Sequence, residues 1–130
     1  MSARGEVRRA ALWLGALLAA CAGPACAQSL GLAPLTDRFA ACSGRLAGLM
    51  EQQWLGDDPA SAVTEAQLAT MRELAASVAA PDEAGAVLAR ETEAKLAFER
   101  LIARAEAPAG DWAEARARDD IAACTALLLD

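Results

Sequence analysis

The chain has no histidine and no tyrosine, and its one lysine is Lys95. Without histidine, the commonest general base, the usual haem ligand and the histidine-containing zinc sites are excluded; without tyrosine, another acid or nucleophile goes with them. Aromatic residues make up 4% of the chain, Trp and Phe alone, and β-branched residues are sparse, which argues against a sheet. Positive charge is also short, with 12 Lys and Arg against 18 Asp and Glu and a net charge of -6. Nucleic-acid binders displace counterions with a basic surface, so nucleic acid is not an expected partner. No Gly-rich phosphate loop, no Cys-X-X-Cys pair and no serine with an activating histidine occurs. The expectation is a protein that is not an enzyme and uses neither cofactor nor metal.

What is present begins with an address. Arg4, Arg8 and Arg9 precede an apolar run from Ala10 to Ala20, and Ala25, Cys26 and Ala27 form an A-x-A cleavage site before Gln28. The run has the length of a secretory h-region and falls well short of the roughly 20 apolar residues that span a bilayer. The reading is therefore a signal peptide over 1–27, a short extension over 28–35 and a helical domain over 36–130. The mature form then has no transmembrane helix and is periplasmic or secreted. Leu18, Ala19, Ala20 and Cys21 resemble a lipobox, which gives the alternative of a lipid anchor on Cys21. Cysteine parity favours the first cut, because it leaves Cys42 and Cys124 as one even pair, whereas lipidation at Cys21 leaves Cys26 odd in an oxidising compartment. Taking three Arg and one Glu from the 12 basic and 18 acidic residues leaves 9 and 17, so the exported chain carries -8.

Beyond Gln28 the sequence is rich in Ala, Leu, Glu and Arg, which are strong helix formers. Breaks at Gly31 and Pro34, at Gly56 to Pro59, at Ala80 and Pro81, and at Pro108 to Gly110 divide it into four stretches. Start signals stand beside them. Thr36 is expected to cap the first stretch, Asp58 with Pro59 the second, Pro81 to open the third, and Asp111 with Glu114 to form a capping box for the fourth. Residues three and four apart form one stripe per stretch: Phe39, Cys42, Leu46 and Leu49; Met71, Leu74 and Val78 with Leu68 and Ala75; Val87, Glu91, Ala94, Phe98 and Leu101; Ala113, Ala117, Ile121, Cys124 and Leu128. Four stripes joined by short connections predict an all-α fold, a small up-down-up-down four-helix bundle. Alanine dominates the stripes and contributes little apolar area per residue, so the core is expected to be thin.

A disulfide between Cys42 and Cys124 supplies what such a core lacks. One lies about six residues into the first helix and the other about six from the end of the fourth, so an antiparallel pairing brings them level. Closing so long a loop contributes up to about 4–5 kcal/mol in the chain-entropy picture, comparable with the net stability of a marginal domain. Residues 54 and 112 have the same sum as 42 and 124, which sets Trp54 and Trp112 at one height. Twelve residues at about 100° each turn the two indoles to opposite sides of the seam. Ser43, Ala47 and Met50 flank Trp54, whereas Arg116 and Asp119 flank Trp112. Trp54 is thus expected to face the core and Trp112 the surface, where it is a candidate anchor for a partner.

Among the carboxylates, Glu91 interrupts an apolar stripe with Lys95 one turn later. These are the candidate buried polar residues. The expected arrangement is a Glu91 to Lys95 pair on the bundle flank; the alternative is a polar pocket of Glu91 with Glu51 or Arg45. In outline the chain is similar to small helical one-disulfide periplasmic proteins such as acid-stress chaperones, although no residue motif matches them. The functional expectation is a non-catalytic module that binds an unidentified protein of the cell envelope, with an acid-responsive periplasmic chaperone as the alternative.

Overall fold

The computed structural model describes residues 31–129. The expected signal segment, with Cys21 and Cys26, lies outside them. Four helices account for most of what is described: α1 (Pro34–Leu55), α2 (Ser61–Val78), α3 (Ala84–Ala105) and α4 (Asp111–Ala126), with no strand among the described residues. No helix there is long and apolar enough to cross a membrane.

The stripes are buried or half-buried as their spacing predicts, except Val78 at the end of α2, which is exposed. Phe39, Cys42 and Leu46 of α1 meet Leu68, Met71 and Ala75 of α2 and Cys124 of α4, with Met50, Leu74, Val87 and Ile121 packed around them. Ala94 and Phe98 are the buried residues of α3, and Ala113, Ala117 and Cys124 those of α4. Leu46 and Met71 are fully buried, each contributing roughly 1.5–3 kcal/mol by removal from water. Most of the remaining inner positions are alanine.

Small residues let the helices come close. On α1, Gly44 and Gly48 are one turn apart and turn the same face to α3. A Cβ on Gly44 would stand 2.7 Å from the Lys95 nitrogen and 2.8 Å from the Ala94 Cβ, and one on Gly48 would stand 3.1 Å from Phe98. The backbones of α1 and α3 therefore pack with no side chain between them at this point. Ion pairs show the relative directions. Asp37 with Arg90 and Glu51 with Lys95 rise together along α1 and α3, so these helices run the same way. Cys42 with Cys124 and Arg45 with Asp120 run in opposite order along α1 and α4. Arg72 with Glu91 joins α2 to α3.

The disulfide is present as expected. Cys42 and Cys124, 82 residues apart in sequence, are bonded with their Cα atoms 5.4 Å apart, and both are buried. The helix starts differ in detail from the expected caps. Pro34 takes the first turn of α1, so Thr36 falls inside the helix and faces inward, buried. Its hydroxyl finds no partner among the described residues. The Asp58 carboxylate accepts from the Ala60 N–H and so ties the break before α2 rather than capping the helix itself. Pro81 stays in the turn ahead of α3, where the Glu83 carboxylate accepts from the Ala80 N–H. Asp111 is the first residue of α4, behind Gly110, and Glu114 pairs with Arg118 instead of reaching back. In each case a turn residue or an ion pair outcompeted the cap.

Two non-glycine residues adopt left-handed backbone. Asp57 (φ 51°) ends the first hairpin and Ala109 (φ 60°) the last. Aspartate tolerates this region, whereas alanine pays a steric cost of about 1 kcal/mol. The neighbouring Gly110 cannot take a side chain, because a Cβ there would lie 2.5 Å from the Ala105 carbonyl oxygen.

Candidate functional site

Trp112 sits on the first turn of α4 and is 57% exposed, as the sequence predicts. Trp54 departs from expectation. It occupies the last turn of α1 and is 52% exposed, not directed into the core. Trp54 lies three turns from the disulfide that sets the expected register. A crossing of only about 20° between two helices opens a gap of about 6 Å over that distance, enough to leave an indole uncovered. α1 ends where α2 turns away, and Leu55 beside Trp54 is more exposed still, at 81%.

The two tryptophans share one end of the molecule. α1 and α3 run the same way, and α4 begins where α3 ends, so the last turn of α1 and the first turn of α4 lie together at that end. Leu55 and Val63, the latter near the start of α2, are further large apolar side chains exposed there. This is the end away from the disulfide, which joins the opening half of α1 to the closing half of α4.

Glu91 and Lys95 are both partly buried, yet they are not paired with each other. Glu91 Oε1 accepts from Arg72 Nε at 2.9 Å and from its terminal nitrogen at 2.5 Å. Lys95 Nζ instead donates to Glu99 at 2.6 Å and meets Glu51 at 2.9 Å. The close approach at Gly44 is the physical reason: α1 wedges against α3 between positions 91 and 95, so one side chain is turned to α2 and the other along α1. The hydrogen bond to Glu99, then that to Glu51, holds the Lys95 ammonium above its usual range. Arg90 is likewise raised, chiefly by its hydrogen bond to Asp37.

The polar pocket weighed for Glu91 is not formed with Glu51 or Arg45. Glu51 serves Lys95, and Arg45 turns to α4, 4.0 Å from Asp120 and 3.8 Å from the Cys124 sulfur. Glu91 instead closes one end of an open groove of about 510 Å³ between α2 and α3, walled by Ala75, Ala76, Ala80, Val87 and Leu88. Both hydrogen bonds from Arg72 fall on the one oxygen, Oε1. Among the described residues no three Cys, Asp or Glu side chains converge as metal ligands.

Sequence reasoning missed the glycine pair at 44 and 48, although a G-x-x-x-G spacing inside a helical stretch was there to be read. It also missed the arginines gathered beside the disulfide, since they come from two different helices. Comparison with known protein families, with curated proteins and with solved structures found no match.

Proposed function

We propose that this chain is a small exported helical protein of the bacterial cell envelope, periplasmic or secreted after a cut behind Ala27, that acts by binding a protein partner and not by catalysis. The exposure of Trp54 and Trp112 at one end carries the binding reading. Large aromatic side chains are over-represented as interface anchors, because each removes much area from water for little lost freedom. The alternating directions of the helix pairings support an up-down-up-down bundle as the scaffold, and the buried disulfide supports an oxidising compartment.

The test is photo-crosslinking in the native envelope from a probe at Ala115, one turn beyond Trp112, comparing the wild type with Trp54→Ala and Trp112→Ala. A specific crosslink that both substitutions weaken supports the reading; a pattern indifferent to them defeats it. The intact mass of the exported protein, with and without alkylation, separates cleavage after Ala27 from acylation at Cys21.

One observation favours a second reading, the acid-responsive chaperone. Four ion pairs tie helix to helix, at Asp37 and Arg90, Glu51 and Lys95, Arg72 and Glu91, and Arg45 and Asp120. Protonating those carboxylates removes attraction between helices and leaves the arginines unbalanced. Native near-ultraviolet circular dichroism that persists to about pH 2–3 would rule this reading out.

A further inference from the structure

The charge of this acidic chain is unevenly spread. Two hollows of about 300 and 190 Å³ meet at Arg45 and Arg90, one opening between α3 and α4 and the other beside Cys42. Between them they are lined by four arginines, Arg38, Arg45, Arg90 and Arg116, against two carboxylates, Asp37 and Asp120. Elsewhere acidic residues outnumber basic ones, and the whole chain carries -6.

The two carboxylates are already committed. Asp37 accepts from Arg90 Nε at 2.6 Å, with Glu93 at 3.5 Å from the same guanidinium, and Asp120 accepts from Arg116 Nε at 3.0 Å. Arg38 and Arg116 are exposed; of the two partly buried arginines, Arg45 and Arg90, Arg45 is left with the least. Its contacts among the described residues are the Cys124 sulfur at 3.8 Å, a weak acceptor, and the far oxygen of Asp120 at 4.0 Å. A guanidinium has five N–H donors in a planar fork, and this one, with 30% of its side chain exposed, keeps most of them unused while partly withdrawn from water. A planar oxyanion is the partner that would use them in pairs.

The larger hollow is not purely polar. Its α3 wall is Ala94, Ala97, Phe98 and Leu101, with Phe98 buried as its floor. A hydrated inorganic anion gains nothing from such a wall, whereas an anion with an apolar body gains contact along it. We propose that this cleft binds a small organic carboxylate, with the carboxylate on Arg45 and the apolar body along Ala97, Phe98 and Leu101. The cleft uses neither tryptophan, and the proposal goes beyond the protein-binding reading.

Calorimetric titration of the disulfide-intact protein with phenylacetate, neutral phenylacetamide and inorganic phosphate tests it. Phenylacetate is expected to bind saturably, and phenylacetamide and phosphate at least about tenfold more weakly, because each lacks one half of the recognised pattern. Arg45→Gln is expected to weaken phenylacetate binding by about tenfold or more, and Arg45→Lys, which keeps the charge without the fork, by about threefold or more. Arg118→Gln removes the same charge from the outer face of α4 and should leave binding within about twofold. Circular dichroism checks that each variant is folded; Arg45→Lys serves if Arg45→Gln is not. No saturable binding up to about 10 mM overturns the proposal. So does phosphate binding as tightly as phenylacetate, or an equal loss at Arg45 and Arg118.

Discussion

Gly44 of α1 lies against the main chain of α3 at Glu91, so close that no side chain could stand between them. A methyl at this position must displace backbone, which cannot rotate out of the way as a flexible side chain can. Gly44→Ala is therefore expected to destabilise the fold by about 2–3 kcal/mol or more, despite alanine's better helix propensity. Gly48→Ala meets only the edge of Phe98 at 3.1 Å and should cost clearly less. Urea unfolding of both variants checks the order, and equal midpoints would contradict the close packing of α1 on α3.

The bond between Cys42 and Cys124 closes most of the described chain into one loop. Replacing both cysteines with serine, or reducing the protein, is expected to lower stability by about 4–5 kcal/mol at most and by several kcal/mol in practice. Denaturant unfolding with and without reductant measures this. A loss under about 1 kcal/mol would mean that the helices hold each other without the staple.

Lys95 is the chain's one lysine, so its side-chain resonance is unambiguous in an NMR titration. Its folded-state pKa is raised by Glu99 and Glu51. The stability it contributes is accordingly complete below the unfolded value of about 10.4 and is lost as pH rises through the folded value. Glu99→Gln should bring the Lys95 titration down toward the free-lysine range and shift the alkaline unfolding edge to lower pH. Glu91→Gln should leave it unmoved, since Glu91 belongs to Arg72. An equal response to both substitutions would restore the local Glu91 to Lys95 pair.

The break between α3 and α4 places alanine where glycine fits and glycine where alanine does not. Ala109→Gly is expected to stabilise the protein by up to about 1 kcal/mol by relieving the left-handed backbone, partly offset by a freer unfolded chain. Gly110→Ala should destabilise it by more than that, because its Cβ would collide with the carbonyls that end α3. Thermal melts of the two single variants decide the signs.

Both indoles near the break ends are open to solvent. Single-tryptophan variants that retain either Trp54 or Trp112, with Trp13 also replaced, should show comparable acrylamide quenching. Strong protection of Trp54 alone would reinstate the core-facing orientation that the helical register suggests.

The sequence makes the helices, their breaks and the disulfide legible because each depends on local signals: proline and glycine punctuation, three-and-four spacing, and the even pair left by Cys42 and Cys124. The burial of Phe39, Leu46, Leu68, Met71 and Phe98 follows from the same spacing. What could not be read depends on the angles between helices. A core-facing Trp54 requires two straight, parallel rods, and a modest crossing angle is invisible in spacing alone. Arg45 and Arg90 are 45 positions apart, on helices whose contact is made by glycine, so nothing local announces that they share a cleft. Caps failed for a related reason, since a side chain that can cap can also serve a turn or an opposite charge.

The uneven grip of the helices has a consequence for how the molecule comes apart. α4 sinks only two alanines and one cysteine into the interior, and the sulfur bridge is its covalent mooring to α1. Once that bridge is opened, the hindmost helix is the first to drift away. Its departure would bare the underside of α1 and dismantle the arginine cleft, while α1 stays clasped to α3 along the glycine seam.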